Sequence, residues 1–355
     1  MFHRMRRREF LRNASRAALA IPFLPRATSP ISDLERQLPQ LMAEATVPGL
    51  SIAIIKDAKL HWRRGFGVKD GASKKPVDND TIFEAASMSK PVFAYAVMKL
   101  CEKGMLALDT PLTRYSPERF LEGDPRLDLI TARHVLSHTS GFQNWRSKKE
   151  PLAIHFTPGE KYMYSGEGYS YLQSVVARVT GQPIEPYMKA NLFAPFGMSS
   201  CGYFWNDMYQ RRMARPHDQK GQPLDNRNSD AAEVTRYGSS GALLTTPTDY
   251  AKFVIEVIDP KPSNAFRLKK ASLDEMLRPQ VKTGEQYPSS WALGWKIVHT
   301  DTGDLIVHGG DNPGFHSVAV ASAPKKSGFV IMTNSDTAPP LINKLLLGDL
   351  MKPFV

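Results

Sequence analysis

The sequence is poor in cysteine and contains no long apolar segment. Its 355 residues include only Cys101 and Cys201, too few for a disulfide framework or a Cys-rich zinc site. A disulfide between them is compatible with an oxidising compartment, although two buried thiols are the favoured interpretation. After the first 27 residues, no run approaches the ~18 apolar residues of a transmembrane helix. The sequence therefore predicts no stable membrane insertion.

The composition is that of a folded protein with an excess of positive charge. Hydrophobic residues make up 42% of the chain and charged residues 23%, so a sizeable core can form and a disordered polyelectrolyte is excluded. The length suits one large domain or two modest ones. The formal net charge of +11 first suggests binding to nucleic acid or to an anionic membrane.

More than half of that charge lies at the N-terminus. Residues 1–27 hold seven Arg, one Glu and no Lys, and therefore contribute +6. A basic start, a short apolar run and a small residue at the end are typical of a signal peptide. Arg7 and Arg8, followed by Phe-Leu-Arg, resemble a twin-arginine export signal, which predicts a periplasmic or secreted protein. A mitochondrial transit peptide is the alternative. The remaining +5 is interleaved with acids, which is typical of solvated surface, and no nucleic-acid partner is predicted.

The pattern of elements predicts an α+β fold. After a first helix at 31–45, β-like runs occupy 49–56 and 60–67, and an apolar helix at 92–103 ends at Gly104. Short helices and loops fill 106–234, and β-like runs return at 291–299, 305–308, 315–321 and 328–334, ahead of a helix at 341–351. We therefore expect one domain over residues 28–355. It would have an antiparallel sheet flanked by N- and C-terminal helices (residues 31–105 and 235–355), with an inserted helical part at about 106–234.

Two Ser-x-x-Lys tetrapeptides occur, and only the first has a context suited to chemistry. A Ser and a Lys three residues apart face each other on a helix, and Pro324 makes a helix through Ser322 and Lys325 unfavourable. Ser87 opens the apolar helix, where free NH groups favour negative charge. Burial on that helix lowers the pKa of Lys90. A serine beside such a lysine is an activated nucleophile with its base, whereas an N-cap serine and a surface lysine are the structural alternative.

Six blocks in fixed order decide between these interpretations. They are residues 83–90, 130–141, 157–169, 240–249, 293–295 and 308–315. Together they resemble the serine β-lactamase-like superfamily, which includes class C β-lactamases, D-alanyl-D-alanine peptidases and related esterases. The resemblance covers about 31–335. It implies a β-lactamase/transpeptidase-like fold and a serine hydrolase that needs no metal and no organic cofactor.

The resemblance also assigns roles to individual residues. It makes Ser87 the nucleophile and Lys90 its base, and Tyr164 matches the tyrosine of the family's Tyr-x-Asn motif. A tyrosine acts as a base only when cations lower its pKa, and Lys90 is the expected source. The backbone NH groups of Ser87 and Asp311 would form the oxyanion hole.

His308, Gly309 and Gly310 match the third family motif, on the edge strand beside the site, and would contact substrate. Two departures from the family pattern concern the substrate. Gly166 replaces an Asn that in β-lactamases helps to hold the antibiotic's side-chain amide, and His308 replaces a Lys that attracts the substrate carboxylate. A neutral imidazole is a weaker anchor for an anion. The expected substrates are therefore small esters, or amides and short peptides with no carboxylate to capture. A β-lactamase or a D-amino-acid peptidase is the alternative, and a non-catalytic binding protein is the third hypothesis.

Four aromatic side chains and two histidines each have two interpretations. Four aromatic residues are candidates for an acyl pocket, with core packing as the alternative: Trp145, Tyr203, Trp205 and Trp291. His134 and His138 have the spacing of a helical zinc half-site, but no third ligand lies near in the sequence, and structural roles are expected.

Overall fold

The computed structural model describes residues 29–225 and 231–355, so the predicted export signal lies outside the described residues. The helices in chain order are α1 (Pro30–Glu44), α2 (Ser89–Glu102), α3 (Ala132–Leu136), α4 (Gly166–Thr180), α5 (Ile184–Met188), α6 (Asp207–Arg212), α7 (Ala231–Gly241), α8 (Pro247–Ile258), α9 (Lys270–Leu277) and α10 (Ala338–Leu347). The strands are β1 (Gly49–Lys56), β2 (Lys59–Gly67), β3 (Phe83–Glu84), β4 (Leu244–Thr245), β5 (Val281–Lys282), β6 (Ser289–Trp291), β7 (Lys296–Val298), β8 (Leu305–Asn312), β9 (Phe315–Ser322) and β10 (Ser327–Thr333).

The main sheet is antiparallel and joins distant parts of the chain. Its strand order is β2-β1-β10-β9-β8-β7-β6-β5, with β1 paired to β10 so that Leu50 lies opposite Thr333. The prediction of one strand over 291–299 was wrong: Gly294, at a φ of +87°, turns the chain between β6 and β7. Only a glycine adopts that backbone conformation readily.

The third motif was expected on an edge strand, but it lies on β8, inside the sheet. Strand β8 runs between β7 and β9, but β7 pairs only with Leu305, Ile306 and Val307. The rest of β8 therefore has a free side, which faces the site described below.

The sheet is packed on both faces, and β1 is accordingly apolar along most of its length. Leu50, Ile52 and Ile54 lie in a cluster with buried residues of α1 and α10, whereas Ala53 and Ile55 belong to the larger core with α2. The predicted α+β class, with N- and C-terminal helices flanking one antiparallel sheet, is confirmed.

Helix α2 is buried on all sides, as its apolar sequence predicts. Every residue from Ser89 to Leu100 is buried, and Gly104 follows the helix with a φ of +69°, the left-handed conformation of a C-terminal glycine cap. Any polar group on this helix is thereby removed from water. That matters for Lys90.

Two further sequence predictions concern cysteine and the membrane. Both cysteines are free thiols, as the favoured interpretation expected, but only Cys201 is buried, whereas Cys101 is half-buried. Within 29–225 and 231–355, no helix combines the length and hydropathy needed to cross a bilayer.

Candidate active site

Ser87 lies in a tight turn directly ahead of α2. The turn is the 3₁₀ helix Ala86–Met88, and Ala86 has a φ of +48°, a conformation that residues with a side chain rarely adopt. Ser89 holds this turn: its hydroxyl donates to the carbonyl of Ala86 at 2.6 Å and accepts from the NH of Leu243 at 3.0 Å. Ser89 was not among the residues predicted from the sequence, although it stands between the two motif residues.

Lys90 is fully buried beside Ser87. Its Nζ lies 3.1 Å from Ser87 Oγ and donates to the carbonyl oxygen of Ser240 at 2.7 Å. The same Nζ lies 4.7 Å from the ring centre of Tyr164 and 5.6 Å from that of Tyr169. Burial lowers the pKa of Lys90 to about 7, because desolvation penalises the charged form. At neutral pH a large fraction of this amine is therefore unprotonated.

Tyr164 is half-buried in the site, and its acidity differs from the expectation. Its hydroxyl hydrogen-bonds the Ser87 side chain, yet burial raises the pKa of Tyr164 above its ordinary value. The expectation that Lys90 lowers the tyrosine pKa was wrong. Desolvation acts on both groups, and it favours a neutral amine and a neutral phenol. In this arrangement the phenol donates a proton, and the amine is the group able to accept one.

Strand β8 reaches the Ser87 turn through Gly310. A Cβ at Gly310 would collide with the carbonyl oxygen of Ala85, so the glycine is required for this close approach. Beyond it, Gly309 and Asp311 line the same cavity as Ser87. The Asp311 carboxylate accepts a hydrogen bond from His316 Nδ1 at 2.6 Å.

His308 is buried at the same cavity and is uncharged. Its side chain is 3% exposed, and its Nδ1 lies 2.6 Å from the carbonyl oxygen of Gly309. Burial, followed by the nearby charge of Lys90, lowers the pKa of His308 to about 3. The imidazole therefore carries no charge at pH 7.

Trp145 occupies the space that a side chain at position 166 would need. A Cβ at Gly166 would collide with the Trp145 indole, which also contacts the Tyr237 ring with centroids 5.1 Å apart. Buried Glu167 holds Arg146, the residue after Trp145. Its carboxylate accepts from the NH of Arg146 at 2.9 Å and from the Arg146 guanidinium at 2.7 Å. Gly166, which stands where the family pattern has Asn, thus leaves room for the Trp145 indole, and this indole forms an aromatic wall of the site.

The side chains surround a cavity of about 400 Å³. Of the predicted catalytic, oxyanion-hole and substrate-binding residues, Lys90, Gly166 and Gly310 lie behind its surface, and the others line it. The lining residues that the predicted site did not include are Asn144, Tyr162, Ser240, Gly241, Glu285, Trp291, Lys296, Val307 and Asn312. Trp291 was a candidate for the acyl pocket, and Tyr162 is two residues before Tyr164, but no motif marks Glu285 or Lys296.

The other aromatic and histidine candidates do not line the cavity. Tyr203 is buried in the core and Trp205 packs against it, so neither lines the cavity. His134 lies in the capping box of α3. The ring of His138 packs 4.1 Å from that of Tyr164, and its Nδ1 accepts from the NH of Ser165. Within the described residues, no group of three or more His, Cys, Asp or Glu is placed to hold a metal.

Comparison with known proteins identifies the family. The sequence model described as Beta-lactamase matches residues 34–347, most of the chain. The chain belongs to the beta-lactamase family. The predicted resemblance is therefore confirmed.

The curated relatives of this beta-lactamase-family chain include an esterase and a penicillin-binding protein. Esterase EstB of Burkholderia gladioli is 31% identical over 252 residues, which cover 61% of this chain and 62% of the esterase. Penicillin-binding protein 4* of Bacillus subtilis (strain 168) is 25% identical over 313 residues, covering 78% of this chain and 65% of that protein. The chain spans a little under two thirds of the length of these curated relatives.

A solved structure shares the fold. The octameric penicillin-binding protein homologue from Pyrococcus abyssi superposes with a TM-score of 0.76 at 25% identity, covering 91% of this chain and 79% of that one.

Proposed function

We propose that the protein is a serine hydrolase that cleaves small, uncharged esters through an acyl-enzyme on Ser87. Lys90 serves as the base, Tyr164 as a proton donor, and the backbone NH groups of Ser87 and Asp311 as the oxyanion hole. Similarity to esterase EstB supports the ester preference, and membership of the beta-lactamase family supports the acyl-enzyme.

The observation that carries the proposal is the environment of Lys90. Its amine lies 3.1 Å from Ser87 Oγ, and burial lowers its pKa to about 7. A neutral amine can donate to the carbonyl of Ser240 and still offer its lone pair to the Ser87 hydroxyl. A serine is a weak nucleophile until such a base removes its proton.

The chemistry follows from these positions. Ser87 Oγ attacks the ester carbonyl carbon, its proton passes to Lys90 Nζ, and the carbonyl oxygen becomes an oxyanion that accepts from the two backbone NH groups. Collapse of this intermediate breaks the bond to the alcohol oxygen, which takes a proton delivered through Tyr164 and Lys90. Water then attacks the acyl-enzyme, with Lys90 again accepting a proton, and releases the acid and free Ser87.

Two features favour esters over penicillins. His308 is neutral and buried, so it offers no fixed charge to a substrate carboxylate. The Trp145 indole lies against Gly166, where a β-lactamase-type Asn would contact the antibiotic's amide. An aromatic wall binds an apolar acyl chain instead.

The test combines mass spectrometry with turnover. The protein should gain one fluorophosphonate adduct, mapped to Ser87, and should hydrolyse p-nitrophenyl butyrate. Ser87→Ala should lose both properties, while Ser89→Ala should retain the labelled Ser87 with weaker turnover because its turn is less well held. An adduct elsewhere, or unchanged turnover in Ser87→Ala, would refute the proposal.

A second candidate is a peptidase acting on D-amino-acid peptides, and similarity to penicillin-binding protein 4* favours it. The same acylation machinery serves both reactions, so substrates must separate them. Rates for p-nitrophenyl butyrate, a D-Ala-D-Ala peptide and nitrocefin on one preparation decide. A D-Ala-D-Ala rate above the butyrate rate would support the peptidase instead.

We also propose that the protein acts outside the cytoplasm, because residues 1–27 resemble a twin-arginine signal. Cell fractionation with the native leader, compared with Arg7→Lys/Arg8→Lys, tests this. Retention of the double variant in the cytoplasm is the expected result, and equal export of both would contradict it.

A further inference from the structure

We propose that Glu285 sets the charge preference of the site by masking Lys296, so that the cavity accepts uncharged acyl groups and disfavours acyl groups bearing a carboxylate. This inference rests on the proposed ester hydrolysis and adds a specificity-determining pair to it.

Each of the three ammonium protons of Lys296 has a hydrogen-bond acceptor on Glu285 or Tyr287. Lys296 Nζ donates to Glu285 Oε1 at 2.6 Å, to Glu285 Oε2 at 2.8 Å and to the Tyr287 hydroxyl at 3.1 Å. An ammonium group has three protons, and all three are used. Burial opposes the charge on Lys296, but the bonds to Glu285 and Tyr287 raise its pKa, so the group remains a cation whose charge is already balanced.

The pair lies where a substrate would meet it. Glu285 and Lys296 line the same cavity as Ser87, and Lys296 on β7 pairs with Trp291 on one side and with Val307 on the other. Their side chains are only 33% and 18% exposed. A charge pair this far removed from water interacts more strongly than one on the open surface.

The described lining of the cavity offers no second cation to a substrate carboxylate. Among the described residues around the cavity, Lys296 is the only lysine or arginine, His308 is neutral, and Asp311 adds a carboxylate. Lys90 lies behind the surface and is bonded to Ser87 and to the Ser240 carbonyl. A substrate carboxylate would therefore lose its water without gaining a cation, which is unfavourable. An alkyl or aryl acyl group would only meet the aromatic wall.

The experiment compares two substrates that differ in one carboxylate. They are p-nitrophenyl hexanoate and mono-p-nitrophenyl adipate, which share the leaving group and the chain length. The measured quantity is the ratio of kcat/KM for adipate to that for hexanoate. Glu285→Gln should raise this ratio at least tenfold, with the gain shrinking at high salt, because Lys296 is then free to bind the anion. Tyr287→Phe, which frees one proton only, should raise it about threefold.

Two controls isolate the pair. Glu285→Gln/Lys296→Met should return the ratio to the starting value, because the unmasked cation is gone. Glu44→Gln removes the same charge from an exposed pair with Lys344 and should leave the ratio unchanged. A ratio that does not rise in Glu285→Gln, or that rises equally in the double variant, overturns the inference while leaving ester hydrolysis intact.

A binding measurement keeps the inference testable if no ester is hydrolysed, a result that would instead refute the proposed function. Trp145 and Trp291 line the cavity, so ligands should quench tryptophan fluorescence. In Ser87→Ala, the Kd ratio for adipic acid monoanilide against hexananilide should shift at least tenfold toward the anion when Glu285→Gln is added. No shift in that ratio would overturn the inference independently of catalysis.

Discussion

The chain contains the tetrapeptide Ser-x-x-Lys twice, and the two copies have different surroundings. At Ser87 and Lys90 the side chains are 3.1 Å apart and the lysine is fully buried. At Ser322 and Lys325 the serine ends β9, whereas the lysine is exposed in the following turn and donates to the carbonyl of Val355 at 2.9 Å. The residue types are the same, but only one lysine has lost its water.

The difference teaches that desolvation, more than the pattern, makes the first copy a candidate catalyst. A turn leading into a helix brings residues three apart onto one face, whereas a strand ending at a turn does not. Helix α2 then carries Lys90 into the core, where burial lowers its pKa to about 7. The second copy is an internal control that the protein itself supplies, and it allows four predictions.

The largest expected effect is the loss of turnover when Lys90 is replaced, with Lys325 as the control. Lys90→Met should lower kcat for p-nitrophenyl butyrate by about 10³-fold, since a positioned general base contributes ~10²–10⁴-fold. Lys325→Met removes the same charge from the exposed copy and should leave kcat within about twofold. Steady-state kinetics on both variants measure this. Comparable losses in both would mean that the lysine acts through overall charge or stability, and not as the base.

The second prediction concerns pH. If the neutral amine of Lys90 is the base, kcat/KM for an uncharged ester should fall about tenfold per pH unit below 7 and level off above it, following the pKa of about 7. An ordinary lysine would place this limb near ~10.4. The residual activity of Lys90→Met should lack the limb at 7, and Lys325→Met should retain it. An acid limb above pH 9 would contradict the pKa that burial imposes.

The sequence predicted the fold class and the central motifs because those depend on local pattern and fixed order. The apolar run at 49–56 specified β1 as a strand, and the apolar sequence of α2 specified its burial. The turn at Gly294 was missed because Trp291 and Trp295 surround it with apolar residues, as in a continuous strand. The place of β8 inside the sheet was missed because the short strand β7, which pairs only with Leu305 to Val307, was hidden in the apolar run at 291–299.

The site was predictable in its centre and not at its rim. Ser87, Lys90 and Tyr164 belong to motifs, whereas Glu285 and Lys296 meet only because β7 and the segment before β6 fold together. The direction of the Tyr164 pKa could not be read from the sequence either. A neighbouring lysine lowers the tyrosine pKa only in so far as that lysine is charged, and the burial that raises the tyrosine pKa also lowers the pKa of Lys90 to about 7.

The third prediction concerns the stability cost of burying Lys90. Its folded pKa lies below the value in the unfolded chain. The destabilisation is therefore fully present below pH 7, where the lysine is charged in both states, and fades as the pH rises toward ~10. At ~1.4 kcal/mol per unit, and after the lost bond to Ser240, Lys90→Met should stabilise the fold by on the order of 2 kcal/mol at pH 6. The gain should shrink at pH 10, and Lys325→Met should show neither effect in urea unfolding. A destabilised Lys90→Met at pH 6 would contradict the assigned burial cost.

The smallest effect distinguishes the backbone that precedes each serine. Ala86 has a φ of +48°, whereas Ala321 is an extended residue of β9, and both are buried. Replacing either by Gly loses a buried methyl, ~0.8 kcal/mol, and adds chain entropy to the unfolded state, ~0.5–1 kcal/mol. Only at Ala86 does Gly also relieve a left-handed conformation, which offsets ~1–2 kcal/mol. Ala321→Gly should therefore destabilise by about 1.5 kcal/mol and Ala86→Gly by about zero, as measured by urea unfolding. Equal losses at the two positions would mean that the turn holding Ser87 is not strained.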